Sequence, residues 1–173
     1  MNLADPGEYV KLIDELTALG KHPRHIVHIA TLLAEQAPTF STRQNVGFFS
    51  VLRIAQALGQ RRITAPVELT VISAGLHDVL PTDDIVPDRC TVLGACTVIA
   101  QEYATIWCRS IDIGAEPIEM REDALAETLL RELLSERQES VAYRGDARFV
   151  QSFDEAPLPA PRTSRFKTHG VYL

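Results

Sequence analysis

Apolar and polar positions along the chain change period several times, and each change marks an element. A helix is predicted from Asp5, where Asp5 can cap, Pro6 suits the first turn and Glu8 sits where a capping-box acid reaches back. Tyr9, Leu12, Ile13 and Leu16 then share a face, and Gly20 stops the helix. The short β-branched run His25–Ile29 reads as a strand. Ala37–Thr42 reads as a loop, and a helix follows from about Arg43 to Leu58, ended by Gly59. This second helix is apolar over most of its circumference, so it needs cover on more than one side. Val67–Ala74 is a nearly continuous apolar run, the pattern of a central parallel strand buried on both faces.

The stretch Thr91–Ile113 carries the most information. Leu93, Thr97, Ala100 and Tyr103 recur at helical spacing, whereas Ile106, Cys108, Ser110 and Asp112 alternate with Trp107, Arg109, Ile111 and Ile113. A helix rich in small side chains therefore runs straight into a strand, the α-to-β unit of a parallel sheet. Between the two strands, Gly75–Arg89 is polar and reads as a loop at a strand's carboxyl end, where ligands sit in open α/β sheets.

Downstream, a helix is predicted from about Ile118 to Arg137, with Leu125, Leu129 and Leu133, and Leu130 and Leu134 beside them, as its buried stripe. Ser140–Arg144 and Arg148–Phe153 flank a turn at Gly145-Asp146 and read as a hairpin. Glu155–Lys167 contains Pro157, Pro159 and Pro161 and reads as an extended linker, after which Gly170–Leu173 starts another strand. The fold class expected is α/β: a truncated Rossmann-like, mostly parallel sheet flanked by helices, with a C-terminal β-hairpin and linker.

Composition narrows the function classes. A chain of 173 residues is long enough for one domain with its own core. A net charge of -6 with scattered Lys and Arg argues against a nucleic-acid partner. Arg61-Arg62, the basic doublet, is read as solvating a helix end. No apolar run reaches membrane-spanning length and Met1 is followed by no secretory pattern, so no membrane partner and a cytoplasmic location are expected. Cys90, Cys96 and Cys108 are an odd, widely spaced set and read as reduced buried thiols.

Candidate chemistry is sparse. His22, His25 and His28 are spaced by three, but on a strand His25 and His28 point to opposite faces, so no metal site is assigned. His77-Asp78 in the Gly75–Arg89 loop is a conceivable acid/base pair. Glu102 beside Tyr103 and the pair Arg109/Asp112 read as polar positions at element ends, solvated or paired. The glycines are isolated, with no dinucleotide fingerprint, phosphate loop or nucleophile elbow. The expectation is therefore no catalytic, cofactor-binding or metal residue in this chain.

Several segments nevertheless resemble one family. Val71–Ala74, Thr91–Tyr103, Cys108–Ile113 and Val141–Gln151, with the helix Phe48–Gly59, look like the non-catalytic half of the ketoreductase domain in modular type I polyketide synthases. Ala100 and Ala104 stand where related sequences often have proline, and the family pattern has an opening strand ahead of the first residue here. The resemblance implies a structural, N-terminal subdomain related to short-chain dehydrogenases over residues 1–154, a linker over 155–169 and, at 170–173, the first strand of a catalytic subdomain.

On that reading the chain packs against and stabilises a catalytic ketoreductase subdomain, in the same or a separate chain, which carries NADPH. An acyl carrier protein is met only indirectly. The alternatives are a free-standing small α/β enzyme with its site in the Gly75–Arg89 loop, and a remnant pseudo-ketoreductase that serves as a spacer.

Overall fold

Val67–Ala74 forms strand β2, and all eight of its residues are buried, as expected of a strand covered on both faces. In the computed structural model, which describes residues 1–33, 38–114, 122–157 and 166–172, the other elements arrange themselves around it. They are α1 (Pro6–Ala18), β1 (His25–His28), α2 (Ala30–Leu33), α3 (Phe40–Val46), α4 (Phe48–Gln60), α5 (Pro87–Glu102), β3 (Ile106–Ile113), α6 (Glu122–Leu133), β4 (Ser140–Arg144) and β5 (Ala147–Val150). The five strands lie in the order β1-β2-β3-β4-β5; the first four are parallel and β5 returns antiparallel to β4 as the hairpin. The fold is thus the α/β, Rossmann-like arrangement that the sequence pattern predicts.

Register divides the sheet into two faces. Val67, Leu69 and Val71 pair with Ile106, Cys108 and Ser110, so these side chains share one face. On it the main core gathers with Tyr9 and Ile13 of α1, Val51, Ala55 and Leu58 of α4, and Val92, Ala95 and Ile99 of α5. The other face carries Ile72, Ile111, Val141 and Tyr143, packed by Leu32 of α2 and Leu125 and Leu129 of α6.

Several boundaries differ from the sequence expectation. The helix predicted from Arg43 to Leu58 is two helices, broken at Gly47, and the first begins at Phe40, inside the predicted loop. Thr39 and Thr42 set that start: Thr39 Oγ1 accepts from Thr42 N at 3.2 Å and Thr42 Oγ1 from Thr39 N at 3.1 Å, a reciprocal capping box. Gly59 does not end α4 but lies inside it, and the Tyr103 ring occupies the space where its Cβ would stand. The short helix α2 was not expected, and β1 stops at His28 because Ile29 already turns into it: Ile29 O accepts from Leu32 N.

On α5 the buried row is Val92, Ala95, Cys96 and Ile99, whereas Thr97 and Ala100 are exposed. Small side chains on all sides leave this helix with weak amphipathicity, so its period does not choose a face. The helix predicted over 118–137 is observed as Glu122–Leu133, and residues 118–121 lie outside the described residues. Leu130 and Leu134, expected in the buried stripe, are 61% and 88% exposed. Glu132 takes the inward position instead, one turn beyond Leu125 and Leu129, because three partners reach its carboxylate.

The hairpin turns at Gly145 with φ +59°, as predicted, but β5 ends at Val150, opposite Val141. Of the predicted linker, residues 158–165 lie outside the described residues, as does Leu173 of the predicted last strand. Gly170–Tyr172 pairs with no strand of this sheet; Tyr172 instead folds back, its hydroxyl accepting from Lys167 N and its ring lying edge-on to Phe166.

Candidate functional site

The carboxyl ends of β2 and β3 finish side by side, Ala74 opposite Ile113. In an open α/β sheet this is the position that receives a ligand. Gly75 follows with φ +72°, and a Cβ there would come within 2.9 Å of Asp84 O. The turn at Gly75 directs two successive amides towards β3. Leu76 N donates to Asp112 Oδ1 at 3.0 Å and His77 N to Asp112 Oδ2 at 3.1 Å. Such a pair of amides is an anion-binding feature, and here the chain's own carboxylate fills it.

Arg144, at the end of β4, completes the closure. Its NH2 donates to Asp112 Oδ2 and to His77 O, both at 2.8 Å, and its Nε donates to Asp83 at 2.8–2.9 Å. Asp83 in turn accepts from Val79 N and Leu80 N, which fixes the loop between Gly75 and the start of α5 at Pro87. Burial pushes the Asp83 carboxyl up, but the two amides and the Arg144 guanidinium outweigh it and hold it below the ordinary aspartate value. The carboxylates of Asp112 and Asp83 share the Arg144 guanidinium, which leaves the edge internally satisfied.

His77 does not work with Asp78, which is exposed; its ring Nε2 lies 2.9 Å from Ser140 Oγ, and Ser110 Oγ donates to that hydroxyl at 3.2 Å. A His–Ser contact is within reach for base and nucleophile. The neighbouring amides that would stabilise an oxyanion are those already bound to Asp112.

The opposite face holds a second polar cluster. Arg109 is fully buried, and its guanidinium meets Glu68 Oε1 at 2.9 Å, Thr70 Oγ1 at 3.1 Å and Glu132 Oε1 at 3.5 Å. Glu132 also accepts from Tyr143 Oη at 2.6 Å and from Arg148 Nε at 2.6 Å. Arg137 reaches Glu68 at 3.2 Å, and Arg109 and Arg137 both stand over the Trp107 ring. The reading of Arg109 and Asp112 as polar positions at strand ends, solvated or paired, holds for Asp112, which is next to last in β3 and paired, and is corrected for Arg109, which lies in the middle of its strand; both are fully buried. Sequence could have flagged them by one signal, the three charges Glu68, Arg109 and Asp112 within an otherwise uncharged and mostly apolar strand pair.

The remaining candidates separate. His28 faces α4 and bonds to Ser50 Oγ at 2.6 Å, whereas His25 is exposed and lies 3.7 Å from Glu68 on the other face. Among the described residues no group of three metal-ligating side chains converges. Glu102 is exposed at the end of α5, and Tyr103 packs on Gly59. Cys90, Cys96 and Cys108 are free thiols; a hydrogen bond with Cys96, together with burial, pushes the Cys108 thiol up. No helix among the described residues is long and apolar enough to cross a membrane.

Comparison with known proteins agrees with this geometry. No family model matches, and no curated protein matches. Among solved structures, the chain is similar to an adenylation, ketoreductase and pseudo-Asub multidomain structure of a keto acid-selecting NRPS module, with a TM-score of 0.71 and 23% identity over 87% of this chain and 13% of that one. An N-terminal ketoreductase from the macrolactin assembly line gives 0.66 and 18% over 90% of this chain and 33% of that one. A short chain dehydrogenase from Mycobacterium avium gives 0.65 and 13% over 96% and 66%. The chain spans only a fraction of the length of the first two, and it has the Rossmann-like α/β fold that these ketoreductase and dehydrogenase structures share.

Proposed function

We propose that this chain is a structural subdomain of a polyketide synthase β-ketoacyl reductase, which packs against and stabilises an NADPH-binding catalytic subdomain. The observation that carries this reading is the closed carboxyl edge. Where a Rossmann-like sheet receives a nucleotide, the amides of Leu76 and His77 are taken by Asp112, and Arg144 neutralises the carboxylate. Among the described residues these two amides are therefore not open to a pyrophosphate.

The role left to such a domain is interaction. Leu130, Leu134, Val150 and Phe153, all from the C-terminal part of the chain, are exposed apolar side chains, and β5 offers a free edge. The segment 170–173 serves in this reading as the first strand of the catalytic subdomain. Any contact with an acyl carrier protein runs through that partner, in the cytoplasm.

The test has two parts. Calorimetry with NADPH and the isolated chain is expected to give no saturable heat. Adding a catalytic ketoreductase subdomain in trans, with NADPH and a β-ketoacyl thioester, is expected to give reduction that the catalytic part alone performs poorly. Saturable NADPH binding by this chain, or no complex at micromolar concentrations of both, overturns the proposal.

A second reading rests on the contact of His77 Nε2 with Ser140 Oγ: a free-standing enzyme with its site in the Gly75–Arg89 loop. It requires a bound metabolite there and an activity that is lost in His77→Ala.

A further inference from the structure

Strand β1 stands at one edge of the sheet. Glu68 N donates to Arg24 O at 2.8 Å, and parallel pairing then alternates: the backbones of Ile26 and His28 face β2, while the N–H and C=O of His25 and Val27 point outwards. The edge is short, four residues with Lys21, Pro23 and Arg24 ahead of it, but the strand itself contains no proline, and the side chains of Val27 and Ile29 are 42% and 51% exposed.

Alongside runs an apolar groove of about 400 Å³ between α1 and β1, lined by Leu12, Ile13, Leu16, Ile26, Ile29 and Ile54 among others. A small-molecule site would need convergent polar side chains in such a groove. Besides the rings of His25 and His28, the latter with its Nδ1 buried and unpartnered, the hydrogen-bonding groups on offer are those of the strand edge, and an extended backbone is what matches them. At the amino end of β1, Lys21, His22 and Arg24 are exposed and have no ion-pair partner among the described residues, in a chain whose net charge is -6.

We propose that the β1 edge and its groove receive a β-strand from a partner polypeptide, an extended segment that is apolar along its length and acidic at the end beside Lys21, His22 and Arg24. Backbone bonds to His25 and Val27 hold the segment in register, alternate side chains enter the groove, and the charges of Lys21 and Arg24 fix its direction. This surface is at the edge of the sheet farthest from β5 and does not depend on the proposed function.

The whole chain, labelled with nitrogen-15, is titrated with a short end-blocked peptide of glutamates followed by alternating valine and threonine. The amides of His25 and Val27 are expected to become protected from exchange, with saturable shifts confined to β1, α1 and the segment between them. Val27→Pro removes an outward N–H and leaves the ladder to β2 intact, since proline is tolerated on an edge strand. Its circular dichroism is expected to be unchanged while binding weakens about tenfold, the equivalent of one hydrogen bond. Lys21→Glu with Arg24→Glu is expected to weaken binding of this peptide and to favour one that starts with lysines. Equal binding to Val27→Pro, protection elsewhere in the chain, or no binding of either peptide at millimolar concentration overturns the proposal. So does an apolar dye that fills the groove equally in both proteins while the peptide leaves His25 and Val27 unprotected.

Discussion

Asp112, next to last in β3, and Arg144, last in β4, form a 2.8 Å ion pair whose carboxylate also accepts from two amides of the chain that leaves β2. Three strand ends are thereby tied at one point. The Asp112 side chain is fully buried and that of Arg144 is 7% exposed, so neither charge has water to fall back on. Asp112→Ala is expected to cost about 2–4 kcal/mol of stability, because it leaves the amides of Leu76 and His77 without an acceptor and Arg144 with Asp83 as its one carboxylate. Urea denaturation checks this. Asp112→Asn, which keeps the shape and loses the charge, is expected to fall between the two, and a neutral result for Asp112→Ala would remove the edge closure from the account.

The cluster around Arg109 is expected to behave differently with pH. Burial raises the Glu132 carboxyl, but hydrogen bonds from Arg148 and Tyr143 and the charges of Arg148 and Arg109 outweigh it, so its folded pKa lies below the ordinary value. A lowered folded pKa means that the unfolded chain binds the proton more readily. The stabilisation is therefore present above the unfolded value of roughly 4.3 and is lost as pH falls towards the folded one. Glu132→Gln is expected to lower stability at neutral pH and to flatten the acid limb of the stability curve. Arg109→Met is expected to cost about 3–5 kcal/mol at neutral pH, because it leaves Glu68 and Glu132 facing each other without the cation between them.

The histidine in β1 provides a separate pH window. Ser50 Oγ donates to backbone carbonyls at Val46 and Gly47, so it accepts from His28 Nε2–H, and the ring is held neutral. Burial pushes the His28 pKa down from 6.5 to about 4, only partly offset by a backbone hydrogen bond. Below 6.5 the unfolded chain takes up a proton that the folded chain refuses, so stability falls as pH drops from 6.5 to about 4 and then levels. The loss amounts to about 3 kcal/mol across the window. His28→Gln keeps a donor for Ser50 and removes the titration. Urea midpoints measured at several pH values across that window are expected to decline in the wild type and to stay closer to constant in the variant.

These three sites bear on what the sequence makes legible. Strand β2 was readable because it is long and nearly continuous in apolar residues, β3 because its positions alternate at spacing two, and α1 because its apolar face recurs at 3.6 residues. The buried charges were not. Arg109 and Asp112 lie in β3 and Glu132 in α6, and only the register of β3 with β2 and β4 and the seating of α6 bring their partners to them. The same limit explains α6: Glu132 and Leu130 look interchangeable by position, and the choice between them is made by Arg109, Tyr143 and Arg148 across the sheet.

Two helix ends supply the last test, because the chain solves one geometric problem with different residues. After α1, Gly20 N donates to Thr17 O and Lys21 N to Leu16 O, with Gly20 at φ +67°. After α4, Arg62 N donates to Gly59 O and Ile63 N to Leu58 O, with Arg62 at φ +49°. Both are Schellman endings, and both require a left-handed residue. Glycine takes that conformation freely, whereas a residue with a Cβ is strained by roughly 1–2 kcal/mol, less the extra entropy that glycine loses on folding. Gly59 attracted the prediction of a helix end because glycine is the usual terminator, yet the terminating position is three residues later. Arg62→Gly is therefore expected to stabilise the chain by about 0.5–1 kcal/mol, Arg62→Asn by less, and Gly20→Ala to destabilise it by about 1 kcal/mol. For a chain of this size each kcal/mol moves the melting temperature by about 2–4 °C, so thermal unfolding resolves the order of the variants, and an Arg62→Gly protein that melts below the wild type would contradict it.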